Sequence, residues 1–326
     1  AQDIHFSQFD QTPLLINPAL AGTFGGTHRV ILNYKDQWKA FGAPYKTYAL
    51  SYDFLFLKKK WENAKLAGSI FVFTDKAGYS NLSSTQIDLS VSSIVRLNDH
   101  QSVAAGLQGG FVQKSVDFSY VSTDNQFNNG AYDPSIPVGE TNNFNKRSYS
   151  DFTAGILWSY IKENTELIAN NQVKANAGAA VYHVNRPKQE FYELNLDRLY
   201  AKVSMHGSGY IGLNSRFALV PSFLFLNQGP TSEFDVGAMV RYRIKEGGLY
   251  SGLPQEAAFS LGGYYRAGDA FIPAFSLEIA NFSFGVSYDI NTSDLKIATK
   301  GKGGIEISLR YVNPNPFKRD KSSSLM

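Results

Sequence analysis

The sequence contains no cysteine, and this absence removes several chemistries at once. Disulfides, thiolate zinc sites and cysteine nucleophiles are all excluded. Long apolar runs are absent too, because no uninterrupted stretch approaches the roughly 20 residues that a membrane-spanning helix needs. Charged residues make up only 18% of the chain and the formal net charge is +3. A charge so close to balance gives no broad footprint for nucleic acid.

The 326 residues are instead rich in apolar and aromatic side chains, which account for 43% and 14% of the chain. This much apolar surface excludes a disordered chain and is enough for one large domain or two ordinary ones. The sequence begins with Ala-Gln-Asp rather than methionine. Such a start is typical of an end cut by a signal peptidase, so we expect an exported protein.

Strict alternation of apolar and polar residues recurs from about residue 27 to residue 312, whereas helical periodicity is nearly absent. Alternation is typical of a strand with two unlike faces. The last alternating segment places Ile305 and Ile307 on one face and Glu306 and Ser308 on the other. On this basis we predict strands at residues 28–38, 45–56, 65–74, 84–95, 101–117, 149–160, 173–183, 200–212, 215–226, 231–244, 256–265, 269–279, 281–290 and 303–312.

The number and length of these segments favour an outer-membrane barrel, which has an even number of tilted strands of ~10 residues. We therefore predict an all-β chain with a transmembrane up-and-down antiparallel barrel of about 14 strands over residues 27–312. Residues 1–26 form an N-terminal segment, and residues 313–326 form a C-terminal periplasmic tail. The parity of the hairpins places the two longest connections on one rim, which we expect to be the outer rim.

The cost of placing charge in lipid decides which face of each strand points inward. An arginine or lysine that faces lipid at mid-bilayer costs roughly 2–4 kcal/mol. The charged members of the alternating rows are therefore predicted to face an enclosed polar lumen. These residues are Asp53, Asp235, Arg241, Arg243, Glu278, Asp289, Glu306 and Arg310.

The N-terminal 26 residues are too apolar to remain free in water and too interrupted by Pro13 and Pro18 to form a long helix. We expect this segment to fold into the barrel and block part of its lumen. An arm that becomes ordered only on a periplasmic partner is the alternative. The residues predicted to form the plug are Phe6, Phe9, Leu14, Leu15 and Ile16.

Catalytic and cofactor motifs are weak throughout the sequence. Residues 207–212 match GxGxxG, but this motif binds dinucleotides only between a strand and a helix. Here it lies inside a strand pattern, and we expect its glycines to make room on the lumen face. The five histidines show no metal-ligand spacing, so we predict no enzyme, no cofactor and no metal site.

The long connection at residues 118–148 is rich in asparagine, serine, glycine and proline. Its oxygen-bearing side chains do not meet the EF-hand spacing for calcium, so a solvated loop is the default interpretation. Because loops carry contacts more often than frameworks do, this connection is also the predicted outward surface for a partner. The residues predicted there are Asp124, Phe127, Asn129 and Tyr132.

Two N-terminal strings, QDIHFSQF at residues 2–9 and LLINPALAG at residues 14–22, resemble the opening of the PorP/SprF family of type IX secretion membrane proteins. The resemblance continues at HVNRP (183–187) and at the closing EISLRY (306–311), and it spans the whole chain. It implies an outer-membrane barrel of Bacteroidetes-type bacteria that works with a secreted adhesin or other cargo carrying a C-terminal sorting domain. It also implies contact with periplasmic ring or lipoprotein components of that secretion and gliding machinery.

Three functions are compatible with the alternating pattern. The favoured one is a non-enzymatic barrel in membrane lipid that binds and anchors secreted cargo. A channel or porin for small or hydrophobic substrates is the main alternative, and a soluble carbohydrate-binding β-sandwich is the third. Fourteen strands enclose more space than side chains alone normally fill, so we expect the lumen to be occupied.

Overall fold

The alternating segments close into one antiparallel barrel in the computed structural model. Each strand pairs with its neighbours in sequence, and the first strand pairs with the last. The structure describes residues 3–37, 45–56, 63–78, 82–115, 124–128, 131–133, 135–136, 146–162, 172–188, 198–245, 257–293 and 301–313. Over these residues the barrel has fourteen strands, as the alternation predicts.

Numbered along the chain, the strands are β1 (His28–Gln37), β2 (Tyr45–Phe56), β3 (Ala64–Ala77), β4 (Leu82–Arg96), β5 (Gln101–Ser115), β6 (Phe127–Asn128), β7 (Ala131–Tyr132), β8 (Lys146–Lys162), β9 (Val173–Tyr182), β10 (Lys202–Gly212), β11 (Phe217–Gln228), β12 (Thr231–Lys245), β13 (Ala257–Arg266), β14 (Ala270–Ile279), β15 (Phe282–Asn291) and β16 (Lys302–Asn313). β6 and β7 form a separate two-stranded hairpin within the connection from β5 to β8.

The antiparallel order sorts the connections between two rims. We call the rim where β1 begins and β16 ends the terminus rim, and the opposite one the far rim. The connection from β5 to β8 and the connection from β9 to β10 both lie at the far rim. The two longest connections therefore share a rim, as the hairpin parity predicts.

The two faces of the wall differ in character. On the outer face, large apolar side chains stand open, with Leu107 69% exposed and Ile156 65% exposed. A contiguous apolar surface of this kind is rare on proteins that live in water and is suited to a hydrocarbon environment. On the inner face, carboxylates such as Asp53 and Glu306 are buried.

β3 departs from simple alternation, and its packing explains why. Phe71 and Phe73 point into the lumen, where they join an apolar cluster with the N-terminal segment. Gly68 lies on the opposite face but is still covered, because a Cβ there would lie 3.0 Å from the ring of Phe54. In β3, therefore, aromatic residues face inward and a glycine faces outward, so polar and apolar residues do not alternate strictly between the two faces. A prediction based on that alternation is weak for this strand.

The N-terminal segment, residues 3–26, contains one short helix and two 3-10 turns inside the barrel. The helix α1 is Pro13–Ile16, and the turns are Phe9–Gln11 and Pro18–Leu20. Pro13 and Pro18 each occupy the start of a helical turn, the position where a missing N–H costs nothing. No helix among the described residues has the length and apolar character needed to cross a membrane.

Candidate functional site

The N-terminal segment runs along the lumen from one rim to the other. Near the terminus rim, Gly22 bonds to Asp53. At the far rim, where β10 begins and β11 ends, Asp3 lies beside Lys202 and Gln228. Between these points the segment contacts strands all around the wall. The interface between the N-terminal segment and the lumen wall is therefore the candidate functional site.

Gly22 anchors the segment at the terminus rim. Its amide donates to Oδ2 of Asp53 at 2.9 Å, and the same carboxylate receives two bonds from the Arg29 guanidinium at 2.9 and 2.7 Å. Gly22 has a φ of +75°, and a Cβ there would collide with Ala67. Both the backbone conformation and the close approach therefore require glycine at this position.

Asn17 holds the middle of the segment against β8, β9 and β10. Its Nδ2 donates to the carbonyl of Ile156 at 2.9 Å and lies 3.1 Å from Nε2 of His206. Its Oδ1 accepts from the amide of Ala19 at 2.9 Å, which caps the following 3-10 turn. Asn17 is fully buried, so each of these bonds replaces one to water.

Two glycines leave a patch of the lumen wall without side chains, and the 3-10 turn Pro18–Leu20 packs flat against this patch. Gly106 on β5 pairs with Gly155 on β8. A Cβ at Gly106 would collide with the backbone of Pro18 and Ala19, and a Cβ at Gly155 would collide with the amide oxygen of Asn17. These glycines are complementary in shape to the turn that packs on them.

Glu306 on β16 binds the backbone of the segment directly. Its carboxylate accepts from the amides of Ser7 at 2.8 Å and Gln8 at 3.0 Å, and it forms an ion pair with Lys35 at 3.0 Å. The Gln8 side chain also bonds to Ser287 and Ser308 on either side. Hydrogen bonds to an ionised carboxylate are stronger than those between neutral groups.

Arg266 at the end of β13 connects Ser7 to a group of wall carboxylates. Its guanidinium donates to Oγ of Ser7 at 2.8 Å and lies 3.1 Å from Asp235 and 3.2 Å from Asp289. Ser7 in turn donates to Asp289 at 2.7 Å. Ser7 therefore belongs to a network that spans several strands and that includes three of the predicted lumen carboxylates, Asp235, Asp289 and, through its amide, Glu306.

Asp3 anchors the segment at the far rim. Its Oδ2 lies 2.7 Å from both Nζ of Lys202 and Nε2 of His183, and the other ring nitrogen of His183 lies 2.9 Å from Asp151. Burial alone would raise the pKa of the Asp3 carboxyl, but Lys202 and His183 outweigh it and hold that pKa well below its usual range. Burial alone would lower the pKa of His183, yet its bonds to Asp151 and Asp3 raise it.

His183 is held in place by the turn that follows β9. His183 itself has a φ of 57°, and the amide of Arg186 returns to its carbonyl at 2.9 Å. Asn185 donates to the carbonyl of Ser150 at 2.7 Å, which ties the turn to β8. The string at 183–187 therefore positions the imidazole over the lumen.

Apolar contacts complete the interface in two clusters. Phe9, Ile16 and Leu20 pack with lumen-facing residues of β12, β13 and β14, and the ring of Phe9 meets that of Tyr264 edge to face at 5.2 Å. Phe6 and Leu14 pack with inward residues of β2 and β3. Full burial of a side chain of this size contributes roughly 1.5–3 kcal/mol.

The structure places the predicted site residues as follows. All eight predicted lumen charges lie on inward positions of their strands. Of the predicted plug residues, four are buried in the lumen and Leu15 is half-buried. In the far-rim connection, Phe127 and Tyr132 face each other across the β6–β7 hairpin, 50% and 52% exposed, with ring centroids 5.7 Å apart. Asp124 begins a 3-10 turn there, and Asn129 and the tail beyond residue 313 lie outside the described residues.

Sequence reasoning missed several polar residues of the interface. Arg29 and Lys35 lie on the inward row of β1, and the cost argument applied to the later strands could have found them. The pattern of β1 is weaker, because Ile31 faces inward and Asp36 faces outward. Asn17, His183 and Arg266 carry no such signal, because they lie in turns or at a strand end.

The expectation that the glycines of residues 207–212 lie on the lumen face is wrong for two of the three. His206, Ser208 and Tyr210 of β10 point inward, Gly212 shares their row, and Gly207 and Gly209 point outward. A Cβ at Gly207 would lie 2.5 Å from the ring of Phe223, and one at Gly209 would lie 3.3 Å from Pro221. These glycines accommodate bulky side chains of β11 on the outer face.

Among the described residues, no group of three or more histidine, aspartate and glutamate side chains is arranged to hold a metal ion.

Comparison with known proteins identifies one family. The family model described as type IX secretion system membrane protein PorP/SprF matches residues 1–311. No curated protein matches the sequence.

The solved structures with similar folds are outer-membrane barrels of low sequence identity. The toluene transporter TbuX of Ralstonia pickettii is 11% identical, with a TM-score of 0.48 over 93% of this chain and 94% of that one. The CymD monoaromatic hydrocarbon channel is 11% identical, with a TM-score of 0.47 over 95% and 94%. A FadL homologue of Pseudomonas aeruginosa is 10% identical, with a TM-score of 0.47 over 90% and 92%. A likeness at this level says nothing about what the chain binds.

Replacement of Glu306 by alanine is expected to loosen the segment around Ser7 and Gln8. The change leaves Lys35 buried without its partner and removes the acceptor of two amides, a loss of about 3–5 kcal/mol for a buried pair. Because 1.4 kcal/mol corresponds to a factor of ten, hydrogen exchange at the two amides should quicken by about 100-fold or more.

The matched control is Asp99→Ala, which breaks the exposed pair with Arg96 and should change exchange at Ser7 by less than tenfold. Unchanged protection of Ser7 and Gln8 in Glu306→Ala would show that this carboxylate does not hold the segment.

The far-rim anchor should weaken as the pH rises. Protonated His183 donates to Asp3 and forms an ion pair with Asp151, and its pKa is raised. Its contribution is therefore complete below the ordinary histidine pKa of 6.5 and is lost as the pH rises through the higher folded value. Protection factors of the amides at residues 4–6, corrected for intrinsic exchange, should therefore fall as the pH rises above 6.5 and through the raised pKa of His183.

In His183→Asn the protection at residues 4–6 should be low and independent of pH, whereas His100→Asn, on the exposed turn between β4 and β5, should behave as the unaltered protein does. If His183→Asn keeps the full pH dependence, another group is responsible.

Proposed function

Because the chain belongs to the PorP/SprF family of type IX secretion system membrane proteins, we propose that it is a non-enzymatic outer-membrane barrel that binds a secreted cargo protein and anchors it or helps to export it. The cargo would be an adhesin or another protein with a C-terminal sorting domain. The observation that carries the proposal is the extent of the family match, which covers the N-terminal segment as well as the barrel.

The N-terminal segment would act as a plug that closes the lumen. Its anchors at both rims and in the middle, through Asp3, Asn17 and Gly22, support this role. A segment held by buried ion pairs and apolar contacts leaves little of the fourteen-stranded interior for diffusion. This favours an anchoring function over a general porin.

The far rim would be the outer surface on which the cargo binds. Phe127 and Tyr132 support this assignment, because two exposed aromatic rings in contact on a hairpin are the kind of anchor on which protein interfaces depend. The terminus rim would then face the periplasm, with the C-terminal tail on that side, whereas Asp3 and the start of the chain lie at the far rim. Ring or lipoprotein components of the secretion and gliding machinery would bind at the terminus rim.

Removal of residues 1–26 is expected to open the barrel. Single-channel conductance in planar bilayers should rise several-fold over that of the complete chain, because fourteen strands without internal contents leave an aqueous path. Migration of unheated samples in electrophoresis would show that the shortened barrel is folded. Equal conductance of the two folded proteins would remove the plug from the proposal, and a high conductance of the complete chain would favour the channel function.

Cargo should be retained through the hairpin on the far rim. The protein, extracted from native membranes in mild detergent, is expected to co-purify with a secreted protein that carries a C-terminal sorting domain. Phe127→Ala combined with Tyr132→Ala should reduce recovery at least tenfold, since residues that act as interface hot spots cost about 2 kcal/mol or more when truncated.

The matched control for this pair is Leu97→Ala with Leu213→Ala, two exposed apolar residues on terminus-rim turns, which should leave recovery unchanged. The absence of any secreted protein with the unaltered barrel would contradict the proposal, whereas an effect of the control pair alone would move the binding surface to the terminus rim.

A further inference from the structure

A cavity of about 130 Å³ remains between the N-terminal segment and the wall. Its apolar lining comes from both sides, through Phe9, Ile16, Leu20, Val220, Met239 and Tyr264. An engineered apolar cavity of about 150 Å³ binds benzene, so this one has room for a ring or a chain of about six carbons.

Three arginines line the same cavity, and two of them are neutralised. The Arg29 guanidinium lies 2.7 Å from Asp53, and the Arg241 guanidinium lies 2.7 Å from Glu278. Arg310 is different. It is only 7% exposed, and with the rest of the described chain it forms no hydrogen bond and no ion pair.

The charges around Arg310 leave it short of a counterion. Arg29 and Arg241 repel it, and the carboxylates that attract it at longer range are Glu278, already bound to Arg241, and Asp10. Asp10 also lines the cavity and accepts a bond from Gln11. The Asp10 residue is exposed, and its carboxylate forms no ion pair with Arg310.

A guanidinium withdrawn from water is costly unless an anion or other acceptor meets it. Its planar donor fork matches a carboxylate or a phosphate, and the singly charged carboxylate suits a small cavity with one unpaired arginine. The cavity therefore combines an apolar body with one anion-binding corner, and these two features define a ligand.

We propose that this cavity binds a small amphipathic monoanion, a carboxylate on a ring or on a chain of about six carbons, with the carboxylate on Arg310 and the apolar body between the N-terminal segment and Met239. This site is separate from the proposed cargo surface and needs no cargo for its occupation. It makes the plugged barrel a receptor for a small molecule.

The first test compares three ligands that share a six-carbon chain and differ in charge. Hexanoate, 1-hexanol and hexylammonium are titrated against the complete protein in nanodiscs by saturation-transfer NMR, with empty nanodiscs as the blank. Hexanoate should bind saturably and at least tenfold more tightly than either of the others. Equal binding of hexylammonium, or no saturable signal above the blank, would overturn the proposal without reference to any variant.

The second test uses matched substitutions in barrels shown to be folded by their electrophoretic migration. Arg310→Gln should weaken hexanoate binding at least tenfold and leave 1-hexanol unaffected. Arg243→Gln, at an inward arginine that does not line the cavity, should keep the affinity of the unaltered protein. Met239→Trp, which fills the apolar part, should weaken both ligands. Binding to Arg310→Gln at the unaltered affinity, or an equal loss in Arg243→Gln, would overturn the assignment.

Discussion

Glu306 is a buried carboxylate in the wall of the barrel, and it remains stable only because donors reach it from two directions. Lys35 approaches from the neighbouring strand, and the amides of Ser7 and Gln8 approach from inside the lumen. In a water-filled lumen, solvent would supply these donors. Since the N-terminal segment displaces that water, its own backbone must replace it, and the same requirement applies where Gly22 meets Asp53. The charged wall and the segment therefore stabilise each other.

This mutual dependence also sets the shape of the wall. The turn that begins at Asn17 packs directly on the strands where side chains are missing, at Gly106 and Gly155. The bulk that these positions lack is supplied by the turn that begins at Asn17. The two N-terminal strings that resemble the family opening thus each contain a contact point, Ser7 and Gln8 in the first and Asn17 to Gly22 in the second. The closing string contributes Glu306 and Ser308, so the two ends of the sequence meet in the lumen.

The barrel itself was predictable, because lipid outside and charge inside impose a two-residue period that survives in the sequence. Strand number, order and the inward direction of residues such as Arg241 follow from that period alone. Contacts made inside the lumen were not predictable in the same way. Phe71 and Phe73 point inward against the simple rule because they pack on the segment, and the glycines at 207 and 209 point outward because aromatic and proline side chains of β11 cover them. The residues at these positions are determined by contacts with other residues that are distant in sequence. A local sequence pattern therefore does not predict them.

A plug held in this way restricts how the barrel can take part in secretion. Release of the whole segment would expose the apolar clusters around Phe6 and Phe9 and leave Lys35 and Arg266 without several partners at the same time. Loosening only the far-rim end of the segment would break fewer interactions than releasing all of it. The anchor at Asp3 involves a few charged groups at the far rim, and it can loosen while Asn17 stays in place. In the proposed function, a partner bound on the far rim would meet the first residues of the chain without opening the lumen. Separate anchors for the middle and for the far-rim end of the segment fit the proposed anchoring of cargo at the surface better than conduction through the interior.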